Sequence, residues 1–141
     1  MKITQIVLFT GAVLAAPVIH ADQAVVDRML DVYAQQGAAR PDANSGEQMW
    51  SKVFSGKEPF SERSCSSCHS RDISQSGEHV RTGKTIEPMS PEVNAERLSD
   101  SSKIEKWFKR NCKWTLGREC TPQEKADFLL YINSARTIQE I

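Results

Sequence analysis

The chain has 141 residues, with 18 basic and 18 acidic side chains, 39% hydrophobic and 26% charged residues. That composition fits one globular domain and excludes a disordered segment. The zero net charge excludes the basic excess of a nucleic-acid binder.

The first 21 residues, MKITQIVLFTGAVLAAPVIHA, place Lys2 ahead of an apolar run from Ile3 to Ile19 and end on Ala21. This pattern predicts a secretory leader over 1–21, cleaved after Ala21. Thr4, Gln5, Thr10, Gly11 and Pro17 break the run, which is too short to favour a membrane span. The mature chain, 22–141, is expected to be exported, not membrane-spanning, and held where disulfides persist.

Val25, Val26, Met29, Leu30 and Tyr33 recur at helical spacing and predict a helix from Asp22 to Gln36, stopped by Gly37. A linker, AARPDANSG, leads to a short helix over roughly Gly46 to Phe54, with Met49, Trp50 and Val53 on one face. The following stretch, SGKEPFSERSCSSCHSRD, has no periodicity, and Ile73 to Asn94 reads as a long loop. A loop of that length in a compact domain implies that it wraps something. A third helix starts near Ser102, with Ser102 and Glu105 as a capping box and Ile104, Trp107, Phe108 and Asn111 on one face. Thr121, Pro122 and Glu124 open a fourth helix, with Ala126, Leu129, Leu130 and Asn133 at i, i+3, i+4 and i+7. No pair of alternating segments joined by a tight turn appears, so no sheet is expected. The predicted fold is all-α, with short helices, long loops and a thin core that a large apolar cofactor would complete.

Cys65-Ser66-Ser67-Cys68-His69 is C-x-x-C-H, the attachment signal of c-type haem. Each thiol adds to one porphyrin vinyl group, and the adjacent histidine reaches the iron. A thioredoxin-like pair would need a preceding strand, and a zinc site a second ligand pair of matching spacing. Seven residues separate Cys112 from Cys120, which suits such a pair poorly. In an oxidising compartment these two cysteines are expected to form a disulfide. GEHVRTGKT, from Gly77 to Thr85, has one residue too many between its glycines for a phosphate-binding loop.

Three residues compete to be the second axial ligand. Met89, in IEPMSP, is a proline-flanked methionine of the kind that serves electron-transfer cytochromes c. His79 lies in the polar loop SGEHVRTG. Asn111 is the polar member of an apolar stripe, and its alternative reading is a C-cap of the third helix. Arg81 and Lys84 are candidate partners for the haem propionates. Trp50, Trp107 and Trp114 are candidates for packing on the porphyrin or in the core.

RTGKTIEPMSP (Arg81 to Pro91), KWFKRNC (Lys106 to Cys112) and LGRECTPQEKAD (Leu116 to Asp127), together with the haem motif, resemble the sphaeroides haem protein family. These are small periplasmic monohaem cytochromes c with an asparagine distal ligand. The resemblance implies a class I-like cytochrome c fold and one covalent haem c. It also implies a disulfide between Cys112 and Cys120, and iron held by His69 and Asn111; Met89, read from its own loop, is the alternative to Asn111. It further implies electron delivery from a di-haem cytochrome c and a membrane b-type cytochrome. An amide oxygen holds Fe(III) better than Fe(II), so reduction is expected to free a position for dioxygen or nitric oxide in a pocket lined by Trp107 and Phe108. Turnover as a terminal oxidase or reductase of a diatomic or oxyanion is the enzymatic form of that reading. A plain His69/Met89 electron carrier is its rival.

Overall fold

The computed structural model describes residues 21–134. The predicted leader lies outside them except for Ala21, the first residue of α1 (Ala21–Gln35). Val26, Met29 and Tyr33 form the buried stripe of α1. The helix ends as the sequence predicts: Gly37 takes φ +97°, and the Ala38 and Gly37 amides donate to the carbonyls of Tyr33 and Ala34.

The second helix, α2 (Ala43–Ser51), starts three residues earlier than expected and stops short of Phe54. Asp42 is the reason, because its carboxylate accepts from the Asn44 amide at 3.0 Å and the Ser45 hydroxyl at 2.8 Å. Trp50 is buried as expected, but Val53 is 58% exposed because the helix has already ended. Gly46 lies against α5 (Pro122–Ser134), where a Cβ would collide with the Asp127 carbonyl and the Tyr131 side chain.

The expectation of no sheet is corrected. Two minimal antiparallel ladders form: β1 (Phe54–Ser55) with β2 (Glu62–Arg63), and β3 (Gly77–Glu78) with β4 (Thr85–Ile86). Between them, α3 (Ser66–His69) is a single turn carrying the cysteine motif.

The long helix α4 spans Ser101–Thr115 and is capped by Asp100, which accepts from the amides of Ser102 and Lys103. The expected Ser102/Glu105 capping box does not form. Glu105 instead accepts from the Tyr33 hydroxyl at 2.6 Å and the Lys125 ammonium at 2.8 Å. The second predicted box does form: the Glu124 amide donates to Thr121 Oγ1, and the Thr121 amide donates to the Glu124 carboxylate. In α5, Ala126, Phe128, Leu129 and Ile132 complete a core shared with α1, α2 and Ile104 of α4. Asp127 is also buried, and accepts from the Asp42 amide and the Gln123 side chain, each at 2.8 Å.

Candidate haem-attachment site

The α3 turn is held by serines. The Ser67 amide donates to Ser64 Oγ at 3.0 Å, and the Ser64 amide returns a bond to Ser67 Oγ at 3.1 Å. This reciprocal pair fixes the turn whose backbone closes from His69 N to Cys65 O at 3.1 Å. Cys65 and Cys68 are free thiols, and burial pushes the Cys65 thiol up to about 12. Ser70 then takes φ +67° and ends the turn. Its carbonyl accepts from the buried Trp50 indole at 2.8 Å.

The same indole packs on the His69 imidazole, with centroids 5.6 Å apart and planes tilted by 42°. Burial first, then the charges of Arg97 and His79, lower His69 to about 4, so the ring is neutral at physiological pH. Its Nδ1 is buried without a hydrogen-bond partner among the described residues. Two free thiols and a neutral imidazole on one turn are the donor set that covalent haem attachment requires, and the residues fit that group. No group of three His, Cys, Asp or Glu side chains suited to a metal ion exists among the described residues.

The loop from Ile73 to Asn94 is more ordered than its composition suggests. Gly77 of β3 runs so close to α3 that an added Cβ would strike the Cys68 carbonyl and the His69 backbone. The hairpin turn that follows carries Arg81 and Lys84, both exposed. The His79 ring shares a 3.1 Å hydrogen bond with the Thr82 hydroxyl in the same turn. Further on, the amides of Met89 and Ser90 both donate to the Ile73 carbonyl, at 2.9 and 2.8 Å. The Arg97 guanidinium donates to the carbonyls of Pro88 and Glu87, at 2.8 and 2.7 Å. The Met89 side chain packs partly buried against the core.

On α4, Asn111 is half-buried and not a C-cap, because the helix continues to Thr115. Its neighbour Cys112 is buried and bonded to Cys120, with Cα atoms 5.5 Å apart. Phe108 turns inward, edge-on to Tyr33 at 6.5 Å and beside Phe128 at 6.4 Å. Trp107 is 46% exposed, with the Arg110 guanidinium 5.0 Å from its ring centroid. Trp114 packs on Phe60 and beneath Arg63.

Two participants escaped the sequence reading, and the role of a third was missed. Trp50 appeared only as a general packing candidate, yet it braces His69. Gly77 and Arg97 carried no local pattern, since each acts on residues far from it along the chain. The one weak signal was Gly77 itself, a glycine soon after the motif in a segment otherwise free to carry side chains.

Helices around a C-x-x-C-H turn, a loop packed against that turn and a cystine-anchored helix together describe a c-type cytochrome. Residues 36–132 match the family described as Domain of unknown function (DUF1924), and the chain belongs to that family. It is 37% identical to cytochrome c-type protein SHP of Cereibacter sphaeroides, over 89% of this chain and 95% of that protein. It is 33% identical to cytochrome c'' of Methylophilus methylotrophus, over 94% of each. The solved structure of oxidised SHP, an oxygen-binding cytochrome c, superposes with a TM-score of 0.70 at 35% identity, covering 77% of this chain and 96% of that one. Oxidised cytochrome c'' superposes at 0.67 and 29% identity, covering 79% and 92%. The fold is therefore the cytochrome c fold of these proteins, and relationship to them implies covalently bound haem c.

Proposed function

We propose that this chain is an exported periplasmic cytochrome that binds a diatomic gas when reduced and exchanges single electrons. Cys65 and Cys68 attach one haem, His69 is the proximal ligand and Asn111 the distal one. A haem held there would supply an iron that changes by one electron and can take up a small ligand. The observation that carries the reading is Asn111: a half-buried polar residue in mid-helix, anchored through its neighbour's disulfide. Its amide oxygen is a hard, neutral, weak donor, so its hold on a reduced iron would lessen and would leave room for dioxygen or nitric oxide. Oxygen binding by SHP supports this. So does the haem-ligand detachment described for cytochrome c''. Arg81 and Lys84 are proposed to face the propionates, and Trp107 the porphyrin edge. Electrons are proposed to come from a di-haem cytochrome c and a membrane b-type cytochrome, and the open position would also serve an oxidase or reductase. No helix among the described residues is long and apolar enough to cross a membrane.

A plain electron carrier with Met89 as ligand is the second reading, favoured by the firm backbone anchoring of Met89 to Ile73. Ferric and ferrous absorption spectra, with and without carbon monoxide, separate the two. With Asn111 as ligand, the ferrous protein is high-spin and binds carbon monoxide rapidly. Asn111→Ala then alters the ferric spectrum, while Met89→Leu leaves both states unchanged. A low-spin ferrous protein whose spectrum collapses in Met89→Leu would overturn the gas-binding reading.

A further inference from the structure

The outward face of α4 carries a charge pattern that the haem site does not use. The helix holds five cations, Lys103, Lys106, Lys109, Arg110 and Lys113, against one anion, Glu105. The rest of the chain has 13 basic and 17 acidic residues, so positive charge is concentrated on one element of a neutral protein. Glu105 is engaged by Tyr33 and Lys125. Lys113 pairs with Glu119 at 3.2 Å. Among the described residues Lys103, Lys106, Lys109 and Arg110 form no ion pair. All four are exposed.

Helical geometry explains the ridge. Ile104, Phe108, Cys112 and Thr115 turn towards the protein, which leaves Lys103, Lys106, Arg110 and Lys113 along the opposite side. Trp107 lies between the two faces, exposed, with Arg110 over its ring. It is also one helical turn before Asn111. Beside the ridge a cleft of about 220 Å³ is lined by Lys106, Lys109, Lys125 and Phe108, with Glu105 and Glu119. An exposed tryptophan and arginine ringed by lysines is the composition of a docking surface, aromatic and arginine anchors within a charged rim.

We infer that this face of α4, centred on Trp107 and Arg110, docks an electron-transfer protein through that protein's acidic patch. The inference rests on the electron exchange proposed above and adds where the donor sits. The ridge steers an acidic partner, and Trp107 gives it an apolar contact one helical turn from the residue assigned to the iron. Attraction of this kind raises association rates by about 10-fold or more at low salt and fades as salt rises.

The test uses the haem-loaded protein and two reductants: photoreduced flavodoxin, an acidic protein, and hexaammineruthenium(II), a small cation. Second-order reduction rates are measured at low and high salt for wild type, Lys106→Glu, Arg110→Glu, Trp107→Ala and Arg28→Glu. The last is a charge-matched change on the exposed side of α1. The inference expects the flavodoxin rate to fall about five-fold or more in Lys106→Glu and Arg110→Glu at low salt, with a flatter salt dependence. Trp107→Ala lowers it at every salt concentration. Arg28→Glu changes it less than two-fold, and none of the three charge variants, Lys106→Glu, Arg110→Glu and Arg28→Glu, slows the ruthenium reagent. Equal losses in Arg28→Glu would show a net-charge effect and overturn the docking face. Equal losses of Lys106→Glu and Arg110→Glu with the ruthenium reagent would show an altered haem site and also overturn it. A wild type reduced by neither reagent would overturn electron exchange itself.

Discussion

Gly77 has no room for a side chain, because the carbonyl of Cys68 occupies the place a Cβ would take. The obstruction is backbone on both sides, so Gly77→Ala has to push β3 away from the turn that presents His69. We expect a loss of about 1–3 kcal/mol in thermal unfolding and a lower haem-to-protein ratio after expression with cytochrome c maturation. A normal ratio would show that β3 is not needed to hold the turn. Tyr33 makes a second residue-scale case. It is fully buried, and burial together with the Glu105 carboxylate raises its phenol far above the ordinary range. Tyr33→Phe keeps the packing on Phe108 and removes only the donor to Glu105. Urea unfolding should show a loss of about 1.5–3 kcal/mol, the range for a hydrogen bond to a charged group.

At the scale of elements, α4 and α5 show what a capping motif can and cannot say. Thr121, Pro122 and Glu124 predict the start of α5 correctly because their partners are one another. Ser102 and Glu105 obey the same spacing, yet Asp100 caps α4 and Glu105 is claimed by Tyr33, 72 positions away. Asp100→Ala should therefore cost about 1 kcal/mol in thermal denaturation, while Ser102→Ala should cost far less. The turn from Cys65 to His69 stands out in the sequence for a related reason: the chemistry proposed for it demands contiguous residues, so the spacing survives in the sequence. The hairpins do not, since each ladder is two residues long and offers no alternation to read. The brace of Trp50 on His69 and the clamp of Arg97 on Pro88 join segments with no shared periodicity. The disulfide closes the short loop between α4 and α5. By loop-closure entropy, replacing Cys112 and Cys120 with alanine should cost about 2.5 kcal/mol. Because Cys112 adjoins Asn111, the ferric spectrum of that variant should change as well.

For the whole molecule, acid is the informative stress. The Arg118 guanidinium, bonded to both oxygens of Glu124 at 2.7 Å, holds that carboxylate below its usual range, with help from Thr121. Burial raises Glu105, but the bonds from Lys125 and Tyr33 outweigh it and lower the group overall. A carboxyl lowered in the folded state binds its proton less tightly than in the unfolded chain. Its stabilisation is therefore present above the unfolded value of about 4.3, and is lost as pH falls through the lower, folded value. Urea midpoints measured from pH 7 to pH 3 should stay level and then decline below about pH 5. Glu124→Gln should start lower at neutral pH and decline less steeply, and an unchanged slope would refute the assignment.

The last helix has a consequence for timing. α5 supplies the centre of the core, and its Asn133 reaches back to Gln23, 110 positions earlier, at 3.2 Å. A chain that emerges amino end first cannot close its interior until α5 has arrived. Cys65 and Cys68 are out well before then, and a thiol in an open chain has a pKa of about 8.5. Once the interior closes, Cys65 is buried and pushed up to about 12, which makes it a poor nucleophile. If these cysteines attach haem as proposed, the architecture leaves an interval, between their emergence and the arrival of α5, in which thioether chemistry is easiest.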